Sequence, residues 1–241
     1  MIQAARESRR LAVSALAVHG LMTGVLDPQH KYRLNHLDLL VPDGQPVRWA
    51  LNLLHKTELK DRVYGPNLML AVCSRAQDEA IPIFLYGSTD DTLTHLTSNL
   101  LRRFPTLQIA GTEASKFRRL SGEEKARLVD RIRKSGAGIV FVGLGCPRQE
   151  VWAYEFANDL ALPVLAVGAA FPFHGGRLRQ APPWMQSAGL EWLFRLWLEP
   201  RRLWARYLLL NPAYLTLLGL QFIGLRHFSA DGIPAEKLFY G

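Results

Sequence analysis

Gly138-Ile139-Val140-Phe141-Val142-Gly143-Leu144-Gly145-Cys146-Pro147-Arg148-Gln149-Glu150 is the stretch that decides the fold. An apolar run of strand length ends in a Gly-Leu-Gly turn, and Pro147 then opens a helix that the apolar spacing carries to about Leu160. A second apolar run, Pro163 to Val167, follows at once. Strand, helix and strand at that spacing form a parallel unit, because the helix has to cross back over the sheet before the next strand can begin.

The same alternation extends outward in both directions. Leu37 to Val41, Pro82 to Tyr86 and Leu107 to Ala110 read as further buried strands, and Leu11 to Val18 as a sixth. Asp90 and Asp91 start a helix running to Phe104, and Ser121 with Glu123 and Glu124 starts another that ends at Gly136. The expected fold class is α/β: a mostly parallel, Rossmann-like sheet with helices on both faces. After Gly168 the alternation stops. Residues 1–181 are expected to form this body, and residues 182–241 a helical, basic appendage.

Composition says what the appendage is for. The 241 residues carry a formal charge of +8, and the stretch from His174 to Phe228 concentrates it. Arg177, Arg179, Arg195, Arg201, Arg202, Arg206 and Arg226 lie there against only Glu191 and Glu199, together with Trp184, Trp192, Trp197 and Trp204. Arginine with tryptophan suits a lipid headgroup surface or a phosphate-rich ligand. No nucleic-acid recognition motif accompanies the charge, so nucleic acid is not an expected partner. Two cysteines exclude a disulfide scaffold, and their scarcity fits a reducing compartment. Arg9 and Arg10 before Leu11 to Val18 mimic a leader peptide, but the apolar stretch is too short and reads as a strand. Tyr207 to Leu225 has the length of a membrane span, yet Asn211, Pro212, Thr216 and Gln221 make it an amphipathic, surface-lying segment.

In a parallel sheet, ligands bind beyond the carboxyl ends of the strands. Asp43 stands at such an end, in Pro42-Asp43-Gly44, where it is either a proton acceptor or part of an ordinary turn. Gly143-Leu144-Gly145 leading into a helix offers backbone N–H groups to a diphosphate, and Gly87-Ser88-Thr89 offers a similar seat or merely a cap. Arg148 either serves such a ligand or points at water, and Glu150 complements the helix dipole. Cys146 at the helix start has the position of an activated thiol, without a histidine in any local motif to act as its base. No local motif for a divalent metal occurs, and no metal or cofactor is expected, although ligands scattered in the sequence stay open.

Taken together, the motifs form a recognisable order. Val41-Pro42-Asp43-Gly44, Asp61-Arg62-Val63-Tyr64-Gly65, Gly143 to Glu150, Ala181-Pro182-Pro183-Trp184-Met185-Gln186, Gly189-Leu190-Glu191-Trp192 and Glu199-Pro200-Arg201-Arg202-Leu203 resemble the WecG/TagA/CpsF glycosyltransferases. The likeness spans roughly residues 11 to 222. It implies an inverting, metal-independent transfer of an N-acetylmannosamine-type sugar from a UDP-sugar donor. The acceptor it implies is a prenyl-diphosphate-linked sugar, an undecaprenyl-diphosphate-linked N-acetylglucosamine, at the inner face of the cytoplasmic membrane. The products of such enzymes feed cell-surface polysaccharide or teichoic acid synthesis. Carried over by motif, Asp43 is the catalytic base. Ser14, Arg62, Gly87, Gly145, Gln149, Arg195, Arg202 and Arg206 are the substrate-binding residues, the C-terminal arginines closing over the donor diphosphate. A homo-oligomer stays open. Ser14-Ala15-Leu16 stands where many relatives have Thr-x-Asn, and Phe171-Pro172-Phe173 where they often have Phe-Asp-Phe. These two departures favour the alternative, a catalytically decayed scaffold protein bound at the membrane.

Overall fold

The computed structural model describes residues 1–241, the side chain of Arg206 excepted. All six expected strands are present: β1 (Leu11–Leu16), β2 (Leu39–Pro42), β3 (Ile83–Gly87), β4 (Ile109–Glu113), β5 (Ile139–Gly143) and β6 (Pro163–Ala166). They form one parallel sheet in the order β2-β1-β6-β5-β3-β4. β1 is two residues shorter than its apolar run, because Val18 already begins the helix α2 (Val18–Leu26).

The helices of the body are α1 (Ile2–Arg6), α2, α3 (Pro28–Asn35), α4 (Gln45–His55), α5 (Gly65–Asp78), α6 (Asp90–Arg103), α7 (Gly122–Lys134), α8 (Arg148–Leu160) and α9 (Ala170–His174). Their starts follow local chemistry. Asp27 accepts the Gln29 and His30 N–H groups at the head of α3, and Ser121 and Glu124 cap α7 reciprocally. The central strands are buried on both faces, and alternate residues supply two cores. Ala12, Phe84, Tyr86, Val140, Val142 and Val164 face a core with Trp152 and Phe156 of α8 and Leu128 and Ile132 of α7. Val13, Ile83, Leu85, Ile139, Phe141 and Leu165 face the other, with Met69 and Val72 of α5, Leu93 and Leu96 of α6 and Phe171 of α9. That Phe171 ring occupies the space a side chain at position 143 would need, a Cβ there standing 2.5 Å from it, so the last residue of β5 has to be glycine.

Beyond Pro182 come α10 (Pro183–Ser187), α11 (Glu191–Leu198) and α12 (Pro200–Ala205), a π-helical turn over Arg206–Leu210, and α13 (Asn211–Phe222). The π turn falls just before Pro212, which cannot donate to the helical ladder. α13 packs on α2 and α4 through a small apolar cluster of Met22, Ala50 and Tyr214, and the Tyr214 hydroxyl donates to the Pro46 carbonyl at 3.0 Å. Among the described residues, no helix is long and apolar enough to cross a membrane.

Candidate active site

Asp43 follows the last residue of β2, and its backbone N–H donates to the Leu16 carbonyl at the end of β1. The side chain is held from the opposite direction: Oδ1 accepts the Gly65 N–H at the start of α5, 2.7 Å away. Gly65 lies beneath Ala15 and beside Val167, so this carboxylate sits over the carboxyl ends of the sheet. Burial pushes the Asp43 carboxyl up to about 6, and the Glu191 charge adds to that. The Gly65 N–H and the charges of Arg62 and Arg195 oppose the rise. A carboxyl near 6 is ionised at neutral pH yet basic enough to accept a proton.

Arg62 ties three segments together. It donates to the Asp43 carbonyl at 3.2 Å, to Glu191 Oε2 at 2.6 Å and to Gln186 Oε1 at 3.4 Å. The Tyr64 hydroxyl donates to the other Glu191 oxygen at 2.9 Å, and the Arg62 guanidinium lies 4.1 Å from the Tyr64 ring centroid. The appendage thus reaches the neighbourhood of Asp43 through α10 and α11. Arg195, one turn beyond Glu191, has a buried Nε without a hydrogen-bond partner and rests over the Phe173 ring.

A second cluster lies at the head of α8. Gln149 Oε1 accepts the Gly145 N–H at 3.2 Å and its Nε2 donates to Glu150 Oε1 at 2.8 Å. Ser14, 0% exposed, donates to the same Glu150 oxygen at 3.0 Å. Ser14 is therefore placed beneath Gln149, where it supports the cluster and offers no surface to a ligand. The Gly145 N–H, expected to be free for a diphosphate, is held by Gln149. Gly168, at φ +47°, closes the same corner, and a Cβ there would stand 2.7 Å from Gln149 Oε1. Gly87 has φ +110° and passes against the Gly143 backbone with no room for a side chain.

Ligand atoms of His30, Cys146 and Glu150 lie within 4.8 Å of one another. His30 and Glu150 are buried, and burial holds the imidazole neutral by lowering its pKa to about 4. A nitrogen, sulfur and oxygen set of this kind suits a borderline cation such as zinc. It differs from the oxygen shell through which magnesium or manganese neutralises a diphosphate.

The structure brings Asp43, Arg62 and Arg195 together, and gathers Ser14, Gln149 and Gly145 at the head of α8. It does not bring Arg202 to either group: that side chain is exposed and pairs with Glu199 at 2.5 Å. The Arg206 side chain lies outside the described structure. Glu191 and Tyr64, which hold Arg62, were not singled out from the sequence. The signal for Glu191 was present as an acidic residue among many arginines, in the Gly189-Leu190-Glu191-Trp192 motif.

The chain matches the Glycosyl transferase WecG/TagA/CpsF family over residues 1–227. Curated relatives include two proteins named N-acetylglucosaminyldiphosphoundecaprenol N-acetyl-beta-D-mannosaminyltransferase. One, from Bacillus spizizenii, is 27% identical over 209 residues, 86% of this chain and 76% of the relative. The other, from Bacillus subtilis, is 28% identical over 186 residues, 77% of this chain and 70% of the relative. With its parallel sheet, its motifs in order and a match over nearly its whole length, the chain belongs to the WecG/TagA/CpsF family and is a glycosyltransferase.

Proposed function

We propose that the protein transfers an N-acetylmannosamine-type sugar, with inversion, from a UDP donor to a prenyl-diphosphate-linked N-acetylglucosamine. The observation that carries this reading is the Asp43 carboxylate, fixed by the Gly65 N–H and flanked by Arg62 and Arg195. Asp43 takes the proton of the acceptor hydroxyl as that oxygen attacks the anomeric carbon. The bond from that carbon to the diphosphate breaks, and UDP leaves with the bonding electrons. The developing negative charge falls to arginines, Arg195 first, and to the positive end of the α8 helix dipole. Arg62 is already matched by Glu191, so its part is to hold the appendage and the Asp43 loop in register.

A lipid-linked acceptor requires work at a membrane face, and the exposed side chains supply one. Trp197 is 76% exposed and Trp204 55%, with Trp184, Leu208, Leu209, Leu215, Phe222 and Ile223 also open. α4 adds exposed Trp49 and Leu53, and Trp49 lies against Gly189 of the appendage. Aromatic and aliphatic groups with Arg201 and Arg226 suit the inner, anionic leaflet. This supports a cytoplasmic protein held peripherally at the membrane.

The test is a panel of UDP-sugars offered with a prenyl-diphosphate-N-acetylglucosamine analogue, with and without EDTA, and product mass as the readout. The reading expects one added N-acetylhexosamine from UDP-N-acetylmannosamine, at an undiminished rate in EDTA. A requirement for added magnesium or manganese would show that the diphosphate is neutralised by metal rather than by arginine.

A further inference from the structure

Beyond the stretch matched to the family, the chain turns back along the body. Gly232 lies so close to α3 that a Cβ would stand 2.7 Å from the Tyr32 nitrogen. Arg33, 2% exposed, donates to the Glu236 carbonyl at 2.7 Å. Glu155 of α8, 8% exposed, accepts the Leu238 and Phe239 N–H groups on its two oxygens, both at 2.7 Å. Without this segment two buried charges of the body would lose these partners, so the body is built to receive it.

The segment ends at the carboxyl edge of the sheet. Leu120 and Phe239 share a backbone hydrogen bond, the Gly241 N–H donates to the Arg118 carbonyl, and Ser115 Oγ donates to the Gly241 carbonyl. The Ser115 N–H in turn donates to the Ser88 carbonyl, just past β3. This course sets the half-buried Tyr240 ring 5.5 Å from the guanidinium of Arg148, the first residue of α8. Arg148, which the sequence leaves free to point at water, has an aromatic seat beside the Gly145–Gln149 turn.

We propose that residues 228–241 form a strap that completes the donor site, with Tyr240 as the positioning residue that holds Arg148 toward the donor diphosphate. An arginine laid on an aromatic ring keeps its charge and loses much of its side-chain freedom, so less entropy is lost when it meets a phosphate. This inference rests on the proposed use of a UDP donor.

The experiment is UDP titration by calorimetry and donor and acceptor kinetics for the full chain and for Tyr240→Ala, Tyr240→Phe, Arg148→Ala and the Arg148→Ala/Tyr240→Ala pair. Tyr240→Ala should raise the UDP Kd and the donor KM by about tenfold. kcat and the acceptor KM should stay within about twofold of the full chain. Tyr240→Phe should restore donor affinity, and the double variant should bind UDP no more weakly than Arg148→Ala. Because the ring is half-exposed, the melting temperature should move by no more than about 2 °C. Arg148→Ala weakening UDP binding while Tyr240→Ala leaves it unchanged would overturn the strap's role and leave the donor assignment standing. An unaltered chain that binds no UDP would overturn the donor assignment itself.

Discussion

Asp43 is a residue whose surroundings work against its ionised form. Its ordinary pKa is 3.8 and burial carries it to about 6, so between those values the native state holds a proton that the unfolded chain has released. Stability therefore falls as pH rises through that window, and the ionised base is present only above it. The rate of transfer should accordingly rise with pH through an acid limb near 6 in kcat/KM. Glu191 contributes to the rise through its charge, so Glu191→Gln should move the acid limb below 6 while Arg62 keeps a hydrogen-bonding partner. A limb that stays put would mean that burial alone sets the base. Asp43 was legible in the sequence as a carboxylate at a strand end, but its neighbours were not. Tyr64 and Gly65 open α5 and Glu191 opens α11, and only folding brings them within 3 Å of their partners.

Among the elements, the strands leave the clearest pattern in the sequence and the C-terminal helices the faintest. Apolar runs gave all six strands, but only the four central ones, β1, β6, β5 and β3, are buried on both faces; β2 and β4, expected to be buried, lie at the sheet edges and are partly exposed. The N-terminal helix α1 escaped because five residues carry too little periodicity to register. A new helix starts at Pro200, but Arg202 turns to Glu199, the residue just before that helix. The apolar stretch from Tyr207 is not one span: α13 ends at Phe222 and buries Tyr214 against the body. If the appendage holds the enzyme at the membrane, Trp197→Ala with Trp204→Ala should cut binding to anionic liposomes by about tenfold or more. Both rings are largely exposed, so circular dichroism melts should be unchanged. Undiminished liposome binding would assign those rings to solvent.

At the scale of the whole molecule, the body and the appendage are held together at both ends of the latter. Arg62 and Glu191 join them near Asp43, and the strap through Arg33 and Glu155 returns the chain to the body. Charge composition foretold a basic, aromatic C-terminal region, but not that a Glu within it would dock beside Asp43. Nothing in the last fourteen residues carries apolar periodicity, so the strap, made largely of backbone hydrogen bonds, left no pattern to read. The central claim is that this assembly places Asp43 as the base of sugar transfer. Its most direct test is single-turnover transfer from UDP-N-acetylmannosamine to the lipid-linked acceptor analogue by Asp43→Asn, beside UDP affinity measured on the same sample. The predicted result is a rate lower by about two to four orders of magnitude with UDP bound as tightly as before. An Asp43→Asn rate equal to that of the unaltered chain would contradict the account and return Pro42-Asp43-Gly44 to an ordinary turn.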